Sequence, residues 1–188
     1  EAGQVPSLAA RRTYFAHSIG EKLLFVSLDV GYEATMEADQ KKWLEETLSA
    51  STSKIKMVQY HGPIFTACRQ DSFWDLTVIE KGLEHWVPLF DKYNVTVVFE
   101  NHTHAFKRSK KIKNGVFDPN GTIYLGEGNW GVEKPNPICN PLNAELHDKV
   151  SLAQHLWVVT INDSNIIQAK AFNNDGEMID EVSIPVNL

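Results

Sequence analysis

Three histidines carry the chemistry most worth weighing in this chain. His102 and His104 follow the apolar run 95–99, and His61 closes another, Ile55-Lys56-Met57-Val58-Gln59-Tyr60. In extended backbone, residues i and i+2 share a face, so His102 and His104 are predicted to project together. Two imidazoles so placed can close on one metal ion or on two adjacent ones. A His-X-His pair alone is weak evidence, because histidine is often half-buried in ordinary hydrogen bonds. A third histidine at another strand end strengthens it. Imidazole suits Zn, Fe, Cu and related ions, so ligand type leaves the metal open. Ligand sites in open α/β sheets lie at the carboxyl ends of strands, the edge predicted here.

The elements that must position these rings follow from apolar periodicity. A short strand is predicted at 14–19, a buried strand at 23–30, and strands at 55–60 and 95–99. Helices are predicted at 37–49, with Trp43, Leu44 and Leu48 as an apolar stripe, and at 76–93, where Pro88 kinks the helix or starts a new turn. Gly62-Pro63 stops the third strand and 64–74 reads as a loop. The order β-α-β-α-β favours parallel strands with right-handed crossovers. After His104 come a turn region at 115–121, a strand at 122–125 and a long loop over 127–150. Strands at 156–161, 166–172 and 178–184, joined by Asp163-Ser164-Asn165 and Asn174-Asp175-Gly176, form an antiparallel meander. One mixed-sheet domain over 1–188 is the economical organisation.

The 188 residues suffice for one domain with a real core, and a formal charge of −6 argues against a nucleic-acid grip. The short run Lys107-Arg108-Ser109-Lys110-Lys111 reads as a solvated strand or loop face. No apolar stretch approaches the roughly 20 residues of a membrane helix, and no signal peptide is evident. The chain opens at Glu1-Ala2-Gly3 without Met, as expected of a mature or cut product. Cys68 and Cys139 leave both a disulfide and free thiols open. Asn-X-Ser/Thr begins at Asn94, Asn101, Asn120 and Asn162, where ordinary usage gives about one such pattern by chance. A secreted, secretory-pathway or lysosomal protein is therefore expected, with Asn94, Asn120 and Asn162 as glycosylation candidates. Asn101 is set aside because sugar there would crowd the metals.

The surroundings of the histidines carry a resemblance. Tyr60-His61-Gly62-Pro63-Ile64-Phe65 resembles the strand-end histidine of the calcineurin-like metallophosphoesterases, in their purple-acid-phosphatase-like branch. His102-Thr103-His104-Ala105-Phe106-Lys107-Arg108 is similar to that family's His-X-His-X-aromatic-X-Arg. Asp39-Gln40-Lys41-Lys42-Trp43-Leu44, Trp86-Val87-Pro88-Leu89-Phe90 with the residues up to Val95, and the Gly-rich stretch from Thr122 to Gly131 match in the same order. The family's opening Asp-X-His or Asp-X-Gly, its Gly-Asp-X-X-Asp or -Tyr and its Gly-Asn-His do not occur. Asn101 stands where the family usually has Gly before the first His of His-X-His. Asp29 ends a strand but lies at an ordinary core position of the pattern.

The resemblance implies the C-terminal half of a four-layer αββα sandwich with mixed sheets. It implies two metal ions (Fe, Zn or Mn), His61 and His102 on one and His104 on the other, acting on a phosphoester. The bridging carboxylate, a second carboxylate and an Asn ligand are then expected from an N-terminal half, which is a preceding segment, a separate chain after cleavage, or absent. Arg69, just after the His61 loop, is a candidate to face a substrate phosphate, with a solvated loop arginine as the plain alternative. Glu100 or Asn101 is a candidate to orient the imidazoles. Trp130 is a candidate pocket wall or core residue, and Arg108 is expected to pair structurally. His17, His85, His147 and His155 receive no role. Three readings stay open: a phosphomonoesterase, a phosphodiesterase of the same fold, and a non-catalytic module that keeps the fold.

Overall fold

Apolar residues make up most of Leu23–Ser27 (β2), Ile55–Gln59 (β3), Val97–Phe99 (β4) and Thr122–Gly126 (β7), and these strands pair in parallel in that order. Such runs mark strands covered on both faces. The structure is a computed structural model and describes residues 12–68, 72–126, 128–134, 144–163 and 166–186. Phe15–Ile19 (β1) flanks β2 in antiparallel register. Phe106–Lys113 (β5) flanks β7, also antiparallel, and its outer edge carries Val116–Phe117 (β6) and His147–Ser151 (β8).

One face of this sheet holds the helices Ala38–Ala50 (α1), Phe73–His85 (α2) and Val87–Lys92 (α3). Leu44 and Leu48 of α1, Val78 of α2 and Phe90 of α3 pack there with Leu24, Val26, Val58, Val98 and Tyr124. Each fully buried leucine contributes about 1.5–3 kcal/mol. The other face holds a second sheet, the antiparallel meander Leu156–Ile161 (β9), Ile166–Phe172 (β10) and Met178–Pro185 (β11). Ile167, Ala169 and Ile184 meet Leu23, Ile55, Met57, Val97, Ile123 and Leu125 between the sheets. The described layers are thus helices, a larger mixed sheet and a smaller antiparallel sheet.

Several expectations change. The segment expected as one helix over 76–93 is two helices that meet at Trp86, with Pro88 in the first turn of α3. Proline is tolerated there because that N–H has no helical partner. The helix also starts earlier, at Phe73, because Ser72 Oγ accepts the N–H of Asp75. The long loop expected over 127–150 contains β8 and a short 3-10 turn, Ala144–Leu146. The basic run 107–111 is a strand of which alternate residues turn inward: Lys107 and Ser109 are fully buried, and Lys110 is exposed. Among the described residues no helix is long and apolar enough to cross a membrane.

Candidate metal centre

The sheet pairing continues past the ends of β3 and β4 and carries the histidines together. Tyr60 N–H donates to the Phe99 carbonyl at 3.1 Å, and Asn101 N–H to the His61 carbonyl at 2.9 Å. Asn101 Nδ2 then donates to the Tyr60 carbonyl at 3.0 Å. Asn101 therefore clamps the two strand ends rather than orienting an imidazole. Beyond it the chain is not extended: His102 and His104 have φ values of 75° and 57°. The extended backbone from which the shared face was argued is therefore absent at both histidines, and the left-handed region they occupy is uncommon for residues with a Cβ. Backbone strain sits at the histidines themselves, not at Asn101.

His61 Nε2 and His102 Nδ1 are 3.1 Å apart, with ring centroids at 5.0 Å. Desolvation, with His102 and then His104 nearby, lowers the His61 pKa and favours the neutral, lone-pair-bearing ring. Tyr32 lies 5.8 Å from the His61 ring and stacks on Trp74, whose ring is 4.8 Å from that of His102. The other edge of His102 meets a carboxylate: its Nε2 is 3.2 Å from Asp75 Oδ1. Sequence reasoning missed Tyr32, Trp74 and Asp75. The signal for Asp75 was present in Ser72-Phe73-Trp74-Asp75, a helix-start pattern.

Tyr32 is placed by Asp29, whose buried carboxylate accepts the N–H groups of Gly31, Tyr32 and Glu33 at 3.0, 2.7 and 3.1 Å. Burial pushes that carboxyl pKa up, but hydrogen bonds from Thr13 and these backbone groups outweigh it and leave it lowered. Asp29 is thus engaged as a loop anchor.

Beneath the histidines, Glu100 and Lys107 are fully buried and ion-paired. Glu100 Oε1 also accepts from Tyr60 Oη and Ile64 N–H, both at 2.7 Å. Lys107 Nζ reaches the Phe65 carbonyl at 2.6 Å. One carboxylate thus holds the loop after His61, while its own chain leads into His102. Gly126 is needed here, because a Cβ on it would lie 2.1 Å from the Glu100 carbonyl oxygen.

The other sequence candidates fall elsewhere. Arg69 lies outside the described residues. Asn94, Asn120 and Asn162 are exposed. Trp130 is exposed too, not core. Arg108 pairs with Asp180 through Nε at 2.6 Å and with Asp148 at 2.5 Å, joining the two sheets. Cys68 is disulfide-bonded; the chain's other cysteine, Cys139, lies outside the described residues. His155 is buried against Phe106. His147 holds the Thr66 carbonyl at 3.1 Å.

Among the described residues no three His, Cys, Asp or Glu side chains converge as a metal-sized group. The pair His61–His102 nonetheless fits two ligands of one ion. Nitrogens each about 2.0–2.1 Å from a metal stand roughly 3 Å apart, close to the separation found. The donor set is therefore partial: neutral imidazoles at the right spacing, without the carboxylates of a finished centre.

No family model matches the chain. It is 30% identical over 117 residues to "Probable inactive purple acid phosphatase 9" of Arabidopsis thaliana, covering 61% of this chain and 18% of that protein. It is 25% identical over 121 residues to purple acid phosphatase 15 of the same plant, covering 63% of this chain and 22% of that one. The chain thus spans about a fifth of these relatives. In fold it matches the purple acid phosphatase PPD1 of yellow lupin (Lupinus luteus) with a TM-score of 0.78 at 16% identity, over 97% of this chain and 34% of that one. It also matches GAP50, described as the anchor in the inner membrane complex of Plasmodium, with a TM-score of 0.66 at 14% identity, over 93% and 54%. The chain is a sequence relative of the purple acid phosphatases, and its mixed α/β architecture is part of the fold of that branch of the calcineurin-like metallophosphoesterases.

Proposed function

We propose that this chain is the C-terminal portion of a single metallophosphoesterase domain and supplies the histidine ligands of a two-metal phosphomonoesterase. His61 and His102 would hold one ion and His104 the other, with carboxylates and an Asn from the preceding portion of the domain completing both. The observation that carries this reading is the 3.1 Å approach of His61 Nε2 to His102 Nδ1 from two separate strand ends. When bound, the metal pair would supply a polarised phosphoryl oxygen and an activated water.

The chain's own residues do the positioning. The lowered His61 pKa keeps its lone pair available near neutrality. Tyr32 and Trp74 form an aromatic rim where a leaving group can rest. His61 is itself exposed, which leaves the site open on the side where the preceding portion and the substrate would approach. Arg69, by its place after the His61 loop, remains the proposed phosphate contact. A secretory route is supported by the Cys68 disulfide, since such bonds persist in oxidising compartments, and by the exposed Asn94, Asn120 and Asn162.

The test uses the intact protein, including whatever precedes this chain. Elemental analysis near two metals per molecule, with phosphatase activity lost in both His61→Ala and His104→Ala, supports the reading. Activity indifferent to both changes defeats it. A second reading, a module that keeps the fold without catalysis, is favoured by the partial donor set and by the printed name of the 30% identical relative. It requires an intact protein that is folded, nearly metal-free and inactive.

A further inference from the structure

We propose that Asp75 is a positioning residue: it holds the proton of neutral His102 on Nε2 and thereby leaves the Nδ1 lone pair facing His61. Among the described residues, Asp75 and His61 face the two ring nitrogens of His102. Its Nε2 is 3.2 Å from Asp75 Oδ1, and its Nδ1 is 3.1 Å from His61 Nε2. A neutral imidazole carries one N–H. A carboxylate accepts only, so the ring nitrogen beside it keeps the hydrogen and the other nitrogen keeps the lone pair.

Asp75 is built to do this without moving. It is buried. Its second oxygen accepts from Ser72 Oγ, and its own N–H donates to the same hydroxyl at 3.0 Å. It lies in the first turn of α2, where the helix dipole favours negative charge. The Trp74 ring, 4.8 Å from that of His102, covers the imidazole beside it. The tautomer is thus set from α2, an element that contributes no ligand to the proposed centre. In the metal-free protein the same arrangement makes His61 Nε2–H the donor to His102 Nδ1.

The tautomer is independent of catalysis, while its use in ligation rests on the function proposed above. The test is long-range 1H–15N correlation NMR on intact, metal-free protein labelled at histidine, recorded where the rings are neutral. His102 is expected as the Nε2–H form. Asp75→Asn keeps the shape but presents an amide that can donate, and is expected to move the ring toward Nδ1–H. Asp75→Glu is expected to restore the original form. Zn2+ affinity by calorimetry should fall about 10- to 100-fold in Asp75→Asn. An Nδ1–H His102 in the unaltered protein, or a ring unchanged in a folded Asp75→Asn variant, overturns the inference. Should Asp75→Asn not fold, the unaltered spectrum and Ser72→Ala, expected to give a mixture of forms, decide it. The expected tautomer in a protein that binds no Zn2+ would support Asp75 and sink the hydrolase reading, so the two fail separately.

Discussion

Glu100 and Lys107 form an ion pair with neither side chain exposed to solvent, seven residues apart across the His102–His104 turn. A buried pair of this kind is not itself a large gain in stability, but breaking it leaves an uncompensated charge. Its value here is geometric. The turn that carries both histidines begins at one partner and ends at the other.

Lys107→Ala should therefore destabilise the intact protein by about 3–5 kcal/mol. The double change Glu100→Gln with Lys107→Met should recover most of that loss, because no bare charge remains. Denaturant unfolding checks both. A double variant no more stable than Lys107→Ala would contradict the argument.

Stability should fall in mild acid through His147. Burial, then the nearby Lys107 charge, lowers its pKa to about 4. Its Nε2 faces the Thr66 carbonyl and its buried Nδ1 has no partner among the described residues, so a second ring proton finds no acceptor. The folded pKa lies below the unfolded value of about 6.5. The contribution is then complete above pH 6.5 and is lost as pH falls toward 4, on the order of 2–3 kcal/mol. Unfolding measured across that window should be steeper for the unaltered protein than for His147→Gln. Identical slopes would remove His147 as the cause.

Gly126→Ala should cost about 1–3 kcal/mol or more, since the new methyl would lie 2.1 Å from the Glu100 carbonyl. Gly115→Ala is the contrast: nothing lies within 4 Å of a Cβ there, and only the strain of its φ of 74° is added. A melting temperature unmoved by Gly126→Ala would show that this approach is looser than described.

Arg108→Ala should destabilise by about 3 kcal/mol, because buried Asp180 loses the contact to Arg108 Nε and, among the described residues, keeps Lys149. Metal content should not change. A loss of bound metal at unchanged stability would instead place Arg108 in the site.

Much of this was written in local pattern. The alternation of helical and extended periods predicted β2, α1, β3 and β4 near their observed places, because strands buried on both faces need continuous apolar runs. The turn residues Asn174-Asp175-Gly176 marked the hairpin of β10 and β11 for a similar reason. Strand β8 escaped because His147-Asp148-Lys149-Val150-Ser151 is a polar edge strand with one neighbour, and edge positions require no apolar run. Lys107 read as solvated, since a lysine enters a core only when a partner such as Glu100 waits there.

The sequence by itself determined the histidines, their strand ends and the relatedness of the chain, because those depend on residue type and short spacing. Tertiary structure alone decided that the His102 ring comes within 3.1 Å of His61. It also decided that Asp75 stands behind His102 and that Glu100 ties both loops from beneath. Those contacts join residues between 27 and 41 positions apart. They depend on how crossover helices and parallel strands return to one edge, which no local period encodes.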